Sequence, residues 1–133
     1  MNKKDAIDWL LKLLEPFEIH ERMIKELLKI ILRTGYEKRF FEVLITRLKF
    51  LEIRGVQSVE HEEFELISEG LFSMHLVGKD FNIRILYSFL SDGTPALLLA
   101  FFERSGKRVT DYSTYKKPAM SRLKELEGKY CVQ

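Results

Sequence analysis

The sequence predicts an α+β fold in which an N-terminal helical hairpin packs on a small twisted antiparallel β-meander and a C-terminal helix follows. Three observations support it. Apolar residues recur at helical intervals over residues 1–55, strand-like segments with short joins fill residues 64–104, and residues 111–126 suit a last helix. Because helices and strands are segregated along the chain, antiparallel pairing is expected. A chain of 133 residues that is 46% hydrophobic suits one domain, 1–133, with a substantial core.

Two helices in the first part of the chain are predicted to form the antiparallel hairpin. The segments IHERMIKELLKIILRTG and EKRFFEVLITRLKFLEIRG carry apolar residues every three or four positions and end at Gly35 and Gly55. The preceding segment, AIDWLLKLL, is also predicted to be helical and is closed by Pro16. The apolar stripes of these helices are expected to face the core.

Three segments after residue 70 have the length and composition of β-strands. They are LFSMHLV (71–77), FNIRILYSFL (81–90) and PALLLAFFE (95–103), and they are joined by GKD and SDGT. The Asp-Gly pair in the second join is a strong hairpin signal. The acidic connector VQSVEHEEFELI precedes them and ends in residues that suit a short strand. In the last predicted helix, Pro118 fits only near the first turn.

Arg84 is the charged residue of the run FNIRILYSFL, and an unpaired charge is costly to bury. Because side chains alternate along a strand, Arg84 shares the more polar face of this strand with residues such as Asn82 and Ser88. The other face is uniformly large and apolar and is expected to pack on the helices. It comprises Phe81, Ile83, Ile85, Tyr87 and Phe89.

The two turns that flank this strand predict the neighbours of Arg84. If residues 79–80 are the central pair of the first turn, His75 lies directly opposite Arg84. A two-residue turn at 92–93 places Phe101 opposite Arg84 on the other side. A slip of one residue at the second turn would move the register and replace this partner.

The predicted face therefore carries His75 and Arg84 together, close to the basic segment ERSGKR. Two structural alternatives remain open at this point. Arg84 could form a salt bridge with Glu103, which the second turn places opposite Asn82, or with another acid. His75 could be an ordinary histidine whose hydrogen bonds are satisfied within the fold.

The distribution of charge favours a partner that carries phosphate. The net charge is +2, but residues 70–133 hold ten Lys and Arg against six acidic residues. The three histidines are scattered and the one cysteine, Cys131, lies near the end of the sequence, so neither a metal site nor a disulfide framework is predicted. The apolar runs are too short to cross a membrane and no signal peptide is recognised, so we expect a cytoplasmic protein.

The run GLFSMHLVGKDFNIRILYSFLSDGTPALLLAFFERSGKR resembles the central block of the RelE/HigB superfamily of bacterial toxins, and most of all its phage-derived HigB-like branch. Residues 70–72 give the Gly-Leu-aromatic start, and residues 84–87 give the Arg-to-Tyr run. Phe101 and Phe102 lead into the basic exit of the last strand. The resemblance covers roughly residues 36–126, and Ala119 and Arg122 fit its final helix.

This resemblance implies a RelE-like fold and an endoribonuclease that cleaves mRNA, usually on the ribosome, and that a cognate antitoxin silences. Such cleavage needs a base for the 2′-OH proton, cations for the phosphate and an acid for the leaving oxygen, without metal or cofactor. By resemblance, the catalytic candidates are Arg84, His75, Tyr115 and Tyr112. The candidates for RNA binding are Arg104, Lys107, Arg108, Lys116 and Lys117.

The resemblance also implies that the Arg84 face is an open, solvated groove for RNA phosphate, with Leu86 and Leu90 exposed on it as antitoxin contacts. The expected partners are mRNA, the ribosome and the antitoxin, with no membrane and no DNA bound by the protein itself. Three departures from the family pattern are His75 where an arginine is usual, the acidic Glu103, and a helical N-terminus. They leave an alternative, a catalytically inactive RelE-like module that binds proteins.

Overall fold

The computed structural model describes residues 3–34, 37–79, 81–103 and 111–131. Within these ranges it contains four α-helices, one 3₁₀ helix and five β-strands, so the predicted α+β class is confirmed. The helices are α1 (Lys3–Leu13), α2 (Glu21–Thr34), α3 (Glu37–Arg54), the 3₁₀ helix (Gly55–Glu60) and α4 (Ser113–Cys131). The strands are β1 (Glu18–Ile19), β2 (Phe64–Ser68), β3 (Leu71–Val77), β4 (Asn82–Phe89) and β5 (Pro95–Phe102).

The strands form one mixed sheet in the order β1-β5-β4-β3-β2. Strands β2 to β5 are the predicted antiparallel meander. The expectation of a wholly antiparallel sheet is wrong at one edge, where β1 pairs in parallel with β5 through Glu18 opposite Ala96 and Ile19 opposite Leu97. A strand of two residues is too short to show any side-chain period, so no pattern in the sequence could indicate it.

The predicted neighbours of Arg84 are confirmed on both sides. His75 of β3 and Phe101 of β5 both lie directly opposite Arg84. The hydrogen bond that closes the predicted first turn is present, since the N–H of Gly78 donates to the carbonyl of Phe81 at 2.9 Å. Asp80, a residue of that predicted turn, lies outside the described residues.

The second turn differs from the prediction, although the register at Arg84 does not. The N–H of Leu90 donates to the carbonyl of Thr94 at 2.9 Å, so the turn holds three residues rather than two. Gly93 takes the left-handed backbone conformation there, with a φ of 89°. A bulge in β5 between the partners of Leu86 and Tyr87 then moves the pairing back by one residue. The two offsets cancel before Arg84 is reached.

Two apolar cores lie on the two faces of the sheet. The first joins α1, α2 and α3 to the face that carries Ile83, Ile85 and Tyr87, as predicted. The second joins α4 to the opposite face, where Leu86 and Leu90 are buried. The residues that α4 and its start contribute to this second core are Tyr112, Ala119, Leu123 and Leu126.

The prediction that the Arg84 face is an open groove, with Leu86 and Leu90 exposed, is therefore wrong. The physical reason is that the last helix forms a full layer on the sheet and buries apolar residues that alternate with Arg84 along β4. Helix α4 also extends beyond its predicted range, 111–126, and holds Pro118 as its sixth residue rather than in its first turn. Pro118 is exposed, so water can bond the backbone carbonyl that the missing N–H leaves free.

Polar side chains hold α4 against α2, the residue before it and β5. Arg122 donates to both carboxylate oxygens of Glu26 at 2.8 Å and to the carbonyl of Leu98 at 2.9 Å. The same Glu26 accepts from the backbone N–H of Ala100 at 3.1 Å. Nearby, Nε2 of His20 lies 2.5 Å from a carboxylate oxygen of Glu125. The residues of α2, β5 and α4 are thus connected by side chains across one edge of the sheet.

The joins between helices are consistent with the predicted ends where they are described. Gly55 follows α3 with a φ of 54°, a left-handed conformation that suits a helix end. Gly35, the predicted end of α2, lies outside the described residues. Among the described helices, none combines the length and the apolar character that crossing a membrane requires.

Candidate functional site

A cluster of polar side chains lies where the start of α4 meets the sheet. It consists of Glu65 of β2, Ser73 and His75 of β3, Arg84 of β4, and Tyr112, which directly precedes α4. We call these five residues the polar cluster. The antiparallel register brings the strand residues together, because Glu65 lies opposite Ser73 and His75 lies opposite Arg84. Side-chain alternation then directs all four to the face that α4 covers.

Tyr112 is held in the polar cluster by the helix that follows it. Its carbonyl accepts the N–H of Lys116 at 3.1 Å, so Tyr112 occupies the N-cap position of α4. Its ring contacts Phe101 edge-on, with centroids 6.2 Å apart. The backbone of the helix start and the ring contact together orient its hydroxyl toward the sheet.

The hydroxyl of Tyr112 is the centre of the hydrogen bonds in the polar cluster. It lies 2.5 Å from Oε1 of Glu65, 3.0 Å from Oγ of Ser73 and 3.4 Å from Nε2 of His75. Nε2 of His75 is itself 3.2 Å from the same Oε1 of Glu65. Because a carboxylate only accepts, the single phenol hydrogen is donated to Glu65, and the hydroxyl of Ser73 can donate in turn to Tyr112.

The surroundings give the two titratable partners of Glu65 different protonation states. Burial lowers the pKa of His75, and the nearby positive charge of Arg84 lowers it further, while the Glu65 carboxylate opposes both effects. Burial raises the pKa of Tyr112 to about 12, with a smaller contribution from its bond to Glu65. At neutral pH His75 is therefore a neutral imidazole and Tyr112 a protonated phenol.

Arg84 is buried, with 9% of its surface exposed. Its guanidinium donates to Oδ1 of Asn82, two residues earlier on the same face of β4. The N–H of Glu103 donates to the backbone carbonyl of Asn82 at 2.9 Å, which places the end of β5 beside this part of β4. Arg84 thus acts on the polar cluster as a fixed positive charge beneath it rather than as an exposed cation.

The second predicted catalytic tyrosine, Tyr115, has a different environment. Its ring stacks on Phe101 with centroids 3.7 Å apart and planes at 9°. Since Phe101 lies opposite Arg84, Tyr115 is close to the polar cluster. Its backbone N–H donates to the carbonyl of Tyr112 at 2.9 Å, whereas its side chain stacks on Phe101. Of the predicted catalytic residues, the structure brings Arg84, His75 and Tyr112 together.

A cleft of about 300 Å³ opens beside the polar cluster, between β2 and the start of α4. The predicted RNA-binding residue Lys116 lines this cleft, and Lys117 is exposed on the same helix. The predicted RNA-binding residues Arg104, Lys107 and Arg108 lie outside the described residues. The residues that line the cleft are Glu65, Leu66, Ile67, Asp111, Tyr112, Ser113 and Lys116.

Sequence reasoning missed two members of the polar cluster, Glu65 and Ser73. The alternation along β3 places Ser73 on the same face as His75, so that signal was present in the sequence. Glu65 had no such signal, because the connector before β3 indicated a short strand without a register. Within the described ranges, no three His, Cys, Asp or Glu side chains are grouped so that they could bind a metal ion.

The chain matches no protein-family model, and no curated protein matches it in sequence at a significant level.

Proposed function

We propose that this protein is a toxin-type endoribonuclease of the RelE/HigB kind, which cleaves mRNA in association with the ribosome and is inhibited by a cognate antitoxin. The proposal rests on one observation: the polar cluster brings together three side chains that can supply the three chemical roles of this reaction. A neutral imidazole, a protonated phenol and a fixed guanidinium lie together beside a cleft. These are the base, the acid and the cation that metal-independent RNA cleavage requires.

The reaction assigns one role to each of these side chains. His75 accepts the proton of the ribose 2′-OH, and the 2′-oxygen attacks the adjacent phosphorus. The bond from phosphorus to the 5′-oxygen breaks, and Tyr112 donates its proton to that oxygen. Arg84 offsets the negative charge that develops on the phosphate. The products are a 2′,3′-cyclic phosphate and a free 5′-hydroxyl, and no electron transfer or co-reactant is needed.

The basic residues near the cleft complete the proposal. Lys116 lines the cleft and Lys117 is exposed one residue further along α4, where both can contact flanking phosphates. Arg104, Lys107 and Arg108 are proposed to serve the same purpose. We further propose that α2 and α3 form a helical hairpin on the β2–β5 meander, with α4 behind it, in a RelE-like arrangement.

A second candidate is a catalytically inactive RelE-like module that acts by binding a protein. The specific observation that favours it is the 9% exposure of Arg84 under the layer that α4 forms. A phosphate must reach the guanidinium, or come close enough to sense its charge, for catalysis to follow. A protein ligand would need only the exposed rim of the cleft.

The two candidates are separated by inducing the protein in a bacterial host without its antitoxin and mapping transcript ends by primer extension. Ribonuclease action predicts growth arrest and new 5′ ends with the wild type, and the loss of both with His75→Asn and with Arg84→Gln. Arg39→Gln is the matched control, because Arg39 is an exposed arginine of α3 that pairs with Glu42. Its new 5′ ends should equal those of the wild type.

The thermal unfolding temperature of each purified variant must accompany this test, because Arg84 is buried. If the Arg84→Gln protein does not fold, the His75→Asn variant alone tests the proposal, because His75 is only partly buried. An absence of new 5′ ends with folded wild-type protein contradicts the ribonuclease proposal. If that wild-type protein also co-elutes in gel filtration with the product of the neighbouring reading frame, the binding module is favoured.

A further inference from the structure

Glu65 contacts both proton-transferring groups of the polar cluster through one oxygen atom. Its Oε1 lies 2.5 Å from the hydroxyl of Tyr112 and 3.2 Å from Nε2 of His75. Nothing in the proposed reaction gives this carboxylate a task of its own. Its side chain is 42% exposed, so its position is not explained by burial in the core.

We propose that Glu65 is a positioning residue that fixes the neutral His75 in one tautomer, with its hydrogen on Nε2, and so makes Nδ1 the catalytic base. This inference rests on the proposed ribonuclease function. A carboxylate can only accept hydrogen bonds, so the nitrogen that faces it must carry the hydrogen. The remaining nitrogen, Nδ1, then holds the lone pair that takes the 2′-OH proton.

The same carboxylate also decides which way the hydrogen of Tyr112 points. With Glu65 present, the phenol donates to its oxygen at 2.5 Å. Without Glu65, the imidazole nitrogen at 3.4 Å becomes an available acceptor for the phenol. That bond would require a lone pair on Nε2 and would move the hydrogen of His75 to Nδ1. Loss of Glu65 should therefore reverse the tautomer and place the hydrogen on the atom that must act as base.

The other charged and titratable groups that face His75 do not compete for Nε2. Arg84 faces it from β4, and Glu63 lies just before β2; both act on it through their charge. Arg47 of α3 donates to the backbone carbonyl of His75 at 2.9 Å and pairs with Glu63 at 3.5 Å. Among the described residues, the side chains within hydrogen-bond distance of Nε2 are those of Glu65 and Tyr112.

The test is a two-bond proton–nitrogen correlation spectrum of the full chain with ¹⁵N-labelled histidine, recorded above pH 7. The wild type should show His75 with its hydrogen on Nε2. Glu65→Gln keeps an acceptor oxygen and should preserve that pattern, whereas Glu65→Ala should populate the form with hydrogen on Nδ1. Adding Tyr112→Phe to Glu65→Ala should reduce that population, because the phenol donor is gone. Glu69→Gln, at an exposed carboxylate in the turn after β2, is the control.

An unchanged tautomer in Glu65→Ala overturns the inference, whatever the activity. In a cleavage assay with an RNA oligonucleotide, kcat should fall by at least about 10- to 100-fold in Glu65→Ala, the cost of removing the hydrogen-bond partner that orients a metal-binding histidine. Glu65→Gln should stay close to the wild type. If the wild type cleaves no RNA but the tautomers behave as expected, the ribonuclease proposal fails while the positioning role of Glu65 stands.

Discussion

The hydroxyl of Tyr112 lies 3.4 Å from Nε2 of His75. Their shared surroundings favour the deprotonated form of the imidazole and the protonated form of the phenol. The pKa of His75 is lowered, whereas the pKa of Tyr112 is raised to about 12. When the surroundings move the pKa values of two neighbouring groups apart, one group can act as a base and the other as an acid at the same pH. In the proposed reaction the histidine is the base and the tyrosine is the acid.

The first prediction concerns the pH dependence of RNA cleavage. The base form of His75 is the neutral one, and its pKa lies below the ordinary value of 6.5. We therefore expect kcat/KM to be constant above about pH 7 and to fall at lower pH, in proportion to the protonated fraction. Since the pKa of Tyr112 is about 12, no loss is expected up to about pH 10. Initial rates on an RNA oligonucleotide, measured at constant ionic strength, give the profile.

An alkaline decline centred between about pH 8 and pH 10 would contradict this assignment, because it would require an acid with a much lower pKa. An acid limb centred above the ordinary histidine value would contradict it as well. Circular dichroism at each pH checks that the protein stays folded across the profile.

The second prediction separates the two tyrosines. Tyr112→Phe removes the proposed acid and should lower kcat by about 10²- to 10⁴-fold, the range for losing a general acid. Tyr115→Phe keeps the ring that stacks on Phe101 and should retain activity within a few-fold. Single-turnover rates measure the chemical step directly. The reverse order of effects would move the acid from Tyr112 to Tyr115.

The third prediction concerns stability and Tyr87. This side chain is fully buried in the first core, and its hydroxyl has no hydrogen-bond partner among the described residues. Burial raises its pKa well above the ordinary value, so it stays protonated and neutral. Tyr87→Phe removes an unsatisfied polar group and should raise the free energy of unfolding by about 1–2 kcal/mol.

Urea denaturation followed by circular dichroism measures this change. Phe72 stacks on Tyr87 at 5.4 Å, and the phenylalanine ring preserves that contact. A decrease in stability would show that the hydroxyl has a partner, such as a buried water, that contributes to the native state.

The fourth prediction concerns the contact that joins α2 to α4. Arg122→Met leaves the carboxylate of Glu26 without its cation and should lower the free energy of unfolding by about 3 kcal/mol, the lower end for a buried pair. Glu26 is 30% exposed, so water limits the loss. The double variant Arg122→Met with Glu26→Gln should lose less than the sum of the single variants. Additive losses would mean that the two side chains act independently.

The strand arrangement near Arg84 could be predicted because strands have a simple side-chain period and the turns limit the register. The choice of His75 and Phe101 as neighbours of Arg84 depended on these two facts alone. The prediction of a two-residue second turn was wrong, yet the bulge in β5 corrected the register before Arg84. The sequence carries no periodic signal for a bulge, so this agreement could not have been foreseen.

The layer formed by α4 could not be predicted from the same patterns. Its buried residues, among them Ala119 and Leu123, are few and are separated by charged residues, so the helix resembles a solvated tail in sequence. The arrangement of the candidate site could not be fully predicted for the same reason. Arg84, His75 and Tyr112 were recognised individually, but the covering of Arg84 and the contact of Tyr112 with Glu65 depend on where α4 docks.

That docking has a consequence for the order of folding. The segment that supplies Tyr112 and α4 follows all five strands along the chain, so a sheet that forms before α4 docks leaves Leu86, Leu90 and Leu98 uncovered. Until α4 docks, the chain exposes this apolar surface to chaperones and to other chains, and its proposed acid is not yet in place. In the proposed ribonuclease, a copy whose α4 has not docked would therefore be unable to cleave RNA.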